Sequence, residues 1–372
     1  MLRVITSNYR KVYKNPIRYL DFMSTAGRDA DAEAEWITSQ LEEEEENDSV
    51  AVVGGANFEE EGKGGPDALR ETDSEPVSGL TDEVVEARYG ADGEDLSEAV
   101  GDRNVLIVGG TVANPMARLA YSEVEPGQIN EVSWGEIVLN RKYPVTFDGE
   151  GISGRKIAGD ETRDEFHDRV GANREASLAA GEEDLDERTQ AIADMESPVD
   201  PETQAWYEMT VEEFRKDARP NYVLDRSTPG DRASVTNEYS SVWVPTEEGM
   251  TELGEQQRND LLSKRSVPVG NGDRWQTDYG VLTVDGAPDG EGNMVGIQGA
   301  HGLATEELGH LVSYDGNGYD DEVDRYGTEQ VLEELGEFRE KTGADEYQAI
   351  TEVSRNPATG DRTMRLVAVG EL

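Results

Sequence analysis

Residues 104–115 read NVLIVGGTVANP. The apolar run is long enough for a buried strand, Asn104–Val108, and too short for a helix, and its valines and isoleucine favour the extended chain. Gly109 and Gly110 end it. Pro115 fits the first turn of a helix, where its missing N–H costs nothing, so Met116–Tyr121 is expected to be helical. Strand, glycine pair and helix begin a βα unit. Two further buried strands run into glycine. SVAVVGG gives a strand at Ser49–Val53, and MVGIQG gives one at Met294–Gln298, followed by a glycine-rich turn and a helix from Thr305 to Val312. The expected fold class is therefore α/β, with a Rossmann-like, mostly parallel sheet.

Working outward, Tyr279–Asp285 is a further strand and Thr328–Thr342 a helix. Tyr347–Ser354 and Thr363–Val369 form a C-terminal hairpin turning at Asn356–Gly360. Ala26–Gln40 suits an exposed helix, and Thr81–Arg88 a helix capped by Thr81. Glu136–Leu139 and Val145–Phe147 are expected as short strands. Four segments follow: a basic arm and acidic helix (1–46), the first part of the core (47–150), an acidic, mainly helical insertion (151–274) and the second part of the core (275–372). Within the insertion, Pro201–Asp217 and Thr246–Lys264 are the expected helices.

Of the 372 residues 81 are Asp or Glu and 34 are Lys or Arg, a formal charge of −47. Such a charge repels itself and destabilises a compact chain in dilute buffer. Molar salt cuts the Debye length to about 3 Å and screens that repulsion. With 8 Lys against 26 Arg, the composition is that of a halophilic protein. It also opposes binding to nucleic acid, which needs phosphate contacts and is suppressed by salt. The exception is the arm at 1–20, where Arg3, Arg10, Lys11, Lys14 and Arg18 precede the first acid. The absence of cysteine rules out disulfides and thiolate chemistry. No apolar run approaches the roughly 18 residues of a membrane span, and the first 23 residues lack a signal-peptide core. The expected location is cytoplasmic, with envelope association as the alternative.

Candidate chemistry gathers at the two glycine loops. Backbone amides exposed by Gly109, Gly110, Gly299 and Gly302 suit an anion at the carboxyl ends of strands. Asn114, His301 and Thr305 could give such a ligand direction; Asn114 equally suits the turn before Pro115, and Thr305 the N-cap of the following helix. Neither loop has a dinucleotide or phosphate-loop fingerprint. His301 and Glu307 are the candidate acid–base residues. Glu306, Glu307 and His310 share a helical face, but the helical metal sites built on Glu-x-x-His need a second such pair, so no metal or cofactor is assigned. His167 has no motif around it.

VLIVGGTVANPMAR resembles a GGP-x-x-N-P element, and DYGVLTVDGAP followed by GIQGAHGLATEELGHLV resembles its downstream companion G-x-H-G-x-G-T. Together they are similar to a Rossmann-like domain of archaeal S-layer-like proteins and some bacterial helix-turn-helix proteins. Gly299, His301, Gly302 and Thr305 match; Ala304 replaces the last glycine and Thr111 the proline. The likeness covers residues 104–120 and 278–313, and implies a fold and a cleft rather than a reaction. The expected function is binding of a small anionic ligand such as a nucleotide. The alternatives are a structural or assembly protein, and an enzyme acting on a nucleotide or sugar through His301.

Overall fold

A computed structural model describes residues 30–42, 49–54, 77–147, 153–172, 199–224, 233–235, 241–257, 277–287, 292–314 and 325–372, apart from 78–79, 82, 88–89, 112–113, 164, 167, 171, 256, 301 and 357–359. The basic arm and His167 lie outside these residues. In chain order, α1 (Ala30–Ser39), β1 (Val50–Gly54), β2 (Glu83–Ala87), α2 (Gly93–Val100), β3 (Val105–Val108), α3 (Pro115–Tyr121) and α4 (Trp134–Leu139) come first. Then follow β4 (Val145–Phe147), β5 (Ser153–Ile157), β6 (Val199–Ala205), β7 (Tyr222–Leu224), β8 (Ala233–Val235), β9 (Val242–Thr246) and β10 (Gly249–Glu252). The chain closes with β11 (Thr277–Gly286), β12 (Asn293–Gly299), α5 (Gly302–Val312), β13 (Arg325–Tyr326), α6 (Thr328–Thr342), β14 (Tyr347–Arg355) and β15 (Arg362–Glu371).

The molecule is a mixed α/β protein around one large sheet, ordered β10-β9-β15-β14-β11-β12-β3-β1-β2. From β12 to β2 the strands are parallel. From β12 to β10 they are antiparallel. The sheet is thus mixed about β12 rather than mostly parallel, because the hairpins β9–β10, β11–β12 and β14–β15 all join it. Helices α1, α5 and α6 cover one face, over Leu106, Val108, Val295 and Ile297. The other face, with Val50, Val52, Val105 and Ile107, packs on Met116, Ala117 and Tyr121 of α3.

Three local expectations are corrected. Residues 83–87 form β2, not a helix: Val84 and Val85 are β-branched and β1 offers an open edge for parallel pairing. The Thr81 hydroxyl donates to the Glu83 carbonyl instead of capping. Residues 136–139 lie in α4, started by a reciprocal Ser133–Glu136 capping box that can be read directly in the sequence. Where described, the span 151–274 holds six strands, β5 to β10, beside helical turns within 163–172 and from Val211 to Asn221. Pro201–Ala205 belongs to β6, and Thr246 to a hairpin, β9–β10, that extends the central sheet beside β15. β6 (VDPETQA) and β10 (GMTE) are polar, and β9 (VWVPT) is a short apolar run, so none shows a clear alternation to a periodicity reading. The remainder of 246–264 beyond residue 257 lies outside the described residues.

Candidate functional site

β3 and β12 are parallel neighbours, with Ile297 opposite Val108. Their following loops therefore leave the same edge of the sheet, as the two glycine loops required. The loop amides divide into used and unused ones. Gly109 N–H donates to Ile297 O (2.9 Å), Asn114 N–H to Gly110 O (2.8 Å) and Ala300 N–H to Tyr279 O (2.8 Å). The amides of Gly110, Thr111, Gly302 and Leu303 carry none of these bonds. Gly109 has φ +99°, a backbone state that disfavours any other residue and turns the chain sharply out of β3.

The structure gives Asn114 an internal task. It is fully buried. Its Oδ1 accepts from Met116 N–H (2.9 Å), and its Nδ2 donates to Val52 O and Val108 O (2.9 Å each). It caps α3 and clamps the ends of β1 and β3 together. The fit is so close that a Cβ on Gly54 would lie 2.3 Å from the Asn114 Cβ. Both Nδ2 hydrogens and Oδ1 are engaged within the fold, and the side chain is sealed from solvent. Thr305 is likewise internal. α5 begins at Gly302, three residues before it, so it is not the N-cap; its hydroxyl accepts from Gly299 N–H (3.0 Å). The cap comes from another strand. Buried Asp278 of β11 accepts from Ala304 N–H through Oδ2 (2.9 Å) and from Tyr279 N–H through Oδ1 (2.9 Å). His301 lies outside the described residues.

Two residues not singled out in the sequence lie beside the first loop. Arg118 of α3 is fully buried. It donates from Nε to Thr111 O (2.8 Å) and from Nη1 to Asn130 Oδ1 (3.3 Å), and its guanidinium stands 4.7 Å from the Trp134 ring centre. An arginine within the apolar helix PMARLAY was the available signal. Gln298, the penultimate residue of β12, is 1% exposed, and among the described residues neither its Oε1 nor its Nε2 has a hydrogen-bond partner. A Cβ on Gly110 would lie 3.2 Å from that Nε2, so the first loop rests on this amide.

One turn into α5, Glu306, Glu307 and His310 bring potential ligand atoms within 4.8 Å of one another. The same carboxylates also hold two arginines. Arg362 Nη1 lies 2.5 Å from Glu306 Oε1 and 2.6 Å from Glu307 Oε1, and Arg325 Nε lies 3.1 Å from Glu307 Oε1. Two guanidiniums thus already neutralise the two carboxylates, which explains how a buried pair of acids is tolerated. Burial nevertheless holds the Glu307 carboxyl above its ordinary range. Far from this edge, between α1 and α6, burial pushes Glu33 up to about 7 against the opposing pull of Arg339, 3.0 Å away.

No helix among the described residues is long and apolar enough to cross a membrane. Comparison with protein-family models, with curated proteins and with solved structures returns no match to this chain.

Proposed function

We propose that the chain is a Rossmann-like protein that binds a small anionic ligand, a nucleotide being the class to test first, at the carboxyl edge of β3 and β12. The observation that carries this reading is the adjacency of these two parallel strands, which sets two glycine loops side by side, with the amides of Gly110, Thr111, Gly302 and Leu303 outside the hydrogen bonds made among the described residues. Arg118 places a cation beneath the first loop. A ligand at one hundred times its Kd would stabilise the fold by about 2.7 kcal/mol. Thermal shift in molar potassium chloride, with inorganic triphosphate and nucleoside triphosphates as probes, is expected to raise the midpoint of the wild type. Gly110→Asp sets a negative charge in the loop and is expected to abolish that rise. An equal rise in both proteins would place binding elsewhere.

The second reading is a structural or assembly protein without a ligand. It is favoured by Asn114 and Thr305, whose side chains bond into the fold itself. Absence of any shift with these probes is its expected signature.

The same experiment bears on halophily. We propose that the −47 charge makes folding depend on salt. The thermal midpoint is expected to climb between about 0.1 and 3 M potassium chloride, the range that takes the Debye length from about 10 Å to 3 Å or less. A flat midpoint across that range overturns the proposal.

A further inference from the structure

We infer that Gln298 is the specificity-determining residue of this site, reading a planar group that presents a hydrogen-bond donor beside an acceptor, as a nucleobase edge or a carboxamide does. The inference rests on the ligand-binding reading above and adds what part of the ligand is recognised.

Two buried glutamines on one face of the sheet make the contrast. Gln348 of β14 lies opposite Thr283, which lies opposite Gly296 of β12. Its Oε1 accepts from Val145 N–H (3.0 Å), and its Nε2 donates to Thr283 Oγ1 (3.0 Å) and Val145 O (3.3 Å). Every polar atom of that side chain is used, as burial demands. Gln298 stands two residues beyond Gly296 on the same face of β12, equally shielded, and uses neither atom. An amide buried without partners is destabilising, and selection for folding alone would favour Leu or Met here. Its position is also specific. It is the last inward residue of β12 before the second glycine loop, directly under Gly110 of the first.

A glutamine amide pairs in bidentate fashion with an edge such as adenine N6/N7, or with another carboxamide, donating from Nε2 and accepting at Oε1. Reaching it requires the chain at Gly109–Thr111 to lift from the amide. The anionic part of the ligand would stay with the loop amides while the planar part takes the space under Gly110. A site built to bond such an edge discriminates strongly against ligands that lack it.

The test uses the full chain in molar potassium chloride, with Gln298→Leu and, as a more flexible replacement, Gln298→Met. Without ligand, both variants are expected to melt about 1–4 °C above wild type, because an unmade amide has been removed. Inorganic triphosphate is expected to shift all three proteins equally. Of the four ribonucleoside triphosphates and the oxidised nicotinamide dinucleotide, at least one is expected to shift wild type further than triphosphate does, and to lose that excess in both variants. A preferred nucleoside triphosphate identifies a base edge; a preferred dinucleotide identifies the carboxamide. If triphosphate shifts wild type but no planar group adds to it, or if the excess survives in both variants, this inference falls and the anion site stands. If both variants melt below wild type, Gln298 is structural and the inference falls. If no probe shifts wild type, both readings fall together.

Discussion

Replacing residues 155–270 with a short Gly/Ser linker is expected to abolish cooperative unfolding, even in molar salt. The span contains β9 and β10, which continue the central sheet beyond β15. Val242 and Met250 are 1% and 2% exposed, and Trp243 meets Phe338 edge-on at 6.3 Å between ring centres. Lys341 of α6 donates to Met250 O at 2.6 Å. Burying one such aliphatic side chain contributes about 1.5–3 kcal/mol. Losing Val242 and Met250 alone therefore removes about 3–6 kcal/mol from a total that for most domains is about 5–15. The deletion also turns β15 into a long open edge, an invitation to aggregation. Near-ultraviolet circular dichroism and a urea melt are the measurements. A sharp single transition in the linker variant would show that the hairpin is an ornament on a self-sufficient core.

Asn114→Ala is expected to cost about 2–4 kcal/mol, the sum of a lost helix cap and two buried carbonyls left without their donor. The change removes only a side-chain amide, yet three segments depend on it: β1 through Val52 O, β3 through Val108 O and α3 through Met116 N–H. Asn114→Asp is the informative companion. It keeps the cap acceptor but replaces the donor by an oxygen facing two carbonyls, so it is expected to be at least as damaging as alanine. Urea unfolding at fixed high salt measures both. A loss under about 1 kcal/mol in both variants would show that the clamp is dispensable, and would return Asn114 to the list of ligand-directing residues.

Much of the fold was legible because its central strands are stretches where local composition and tertiary environment agree. VAVV, VLIV and MVGI are buried on both faces, and only a covered sheet position suits four such residues in a row. The C-terminal hairpin was likewise readable from two strands and a turn rich in Asn, Pro and Gly. β2 was not. EVVEA satisfies a helical or an extended pattern, and the free edge of β1 decided between them. The strands of 151–274 are short, three to seven residues each, so their pairing with β4, β5 and β15 is set by partners elsewhere in the chain.

The candidate site divides in the same way. The sequence by itself determined that two glycine loops follow two buried strands, since glycine at a strand end is a local backbone requirement. Only the tertiary structure decided what the neighbouring side chains do. Asn114, read as a ligand contact or a turn residue, is a clamp because β1 lies beside β3. Asp278, unremarkable in TDYGVL, caps α5 because β11 pairs with β12. Gln298 looks like any polar residue closing a strand. That its amide is buried, unbonded and under Gly110 follows from the packing of α3 and its loop against β12. Hydrogen bonding of a buried side chain is a property of its surroundings, and those are assembled from residues more than two hundred positions apart in this chain.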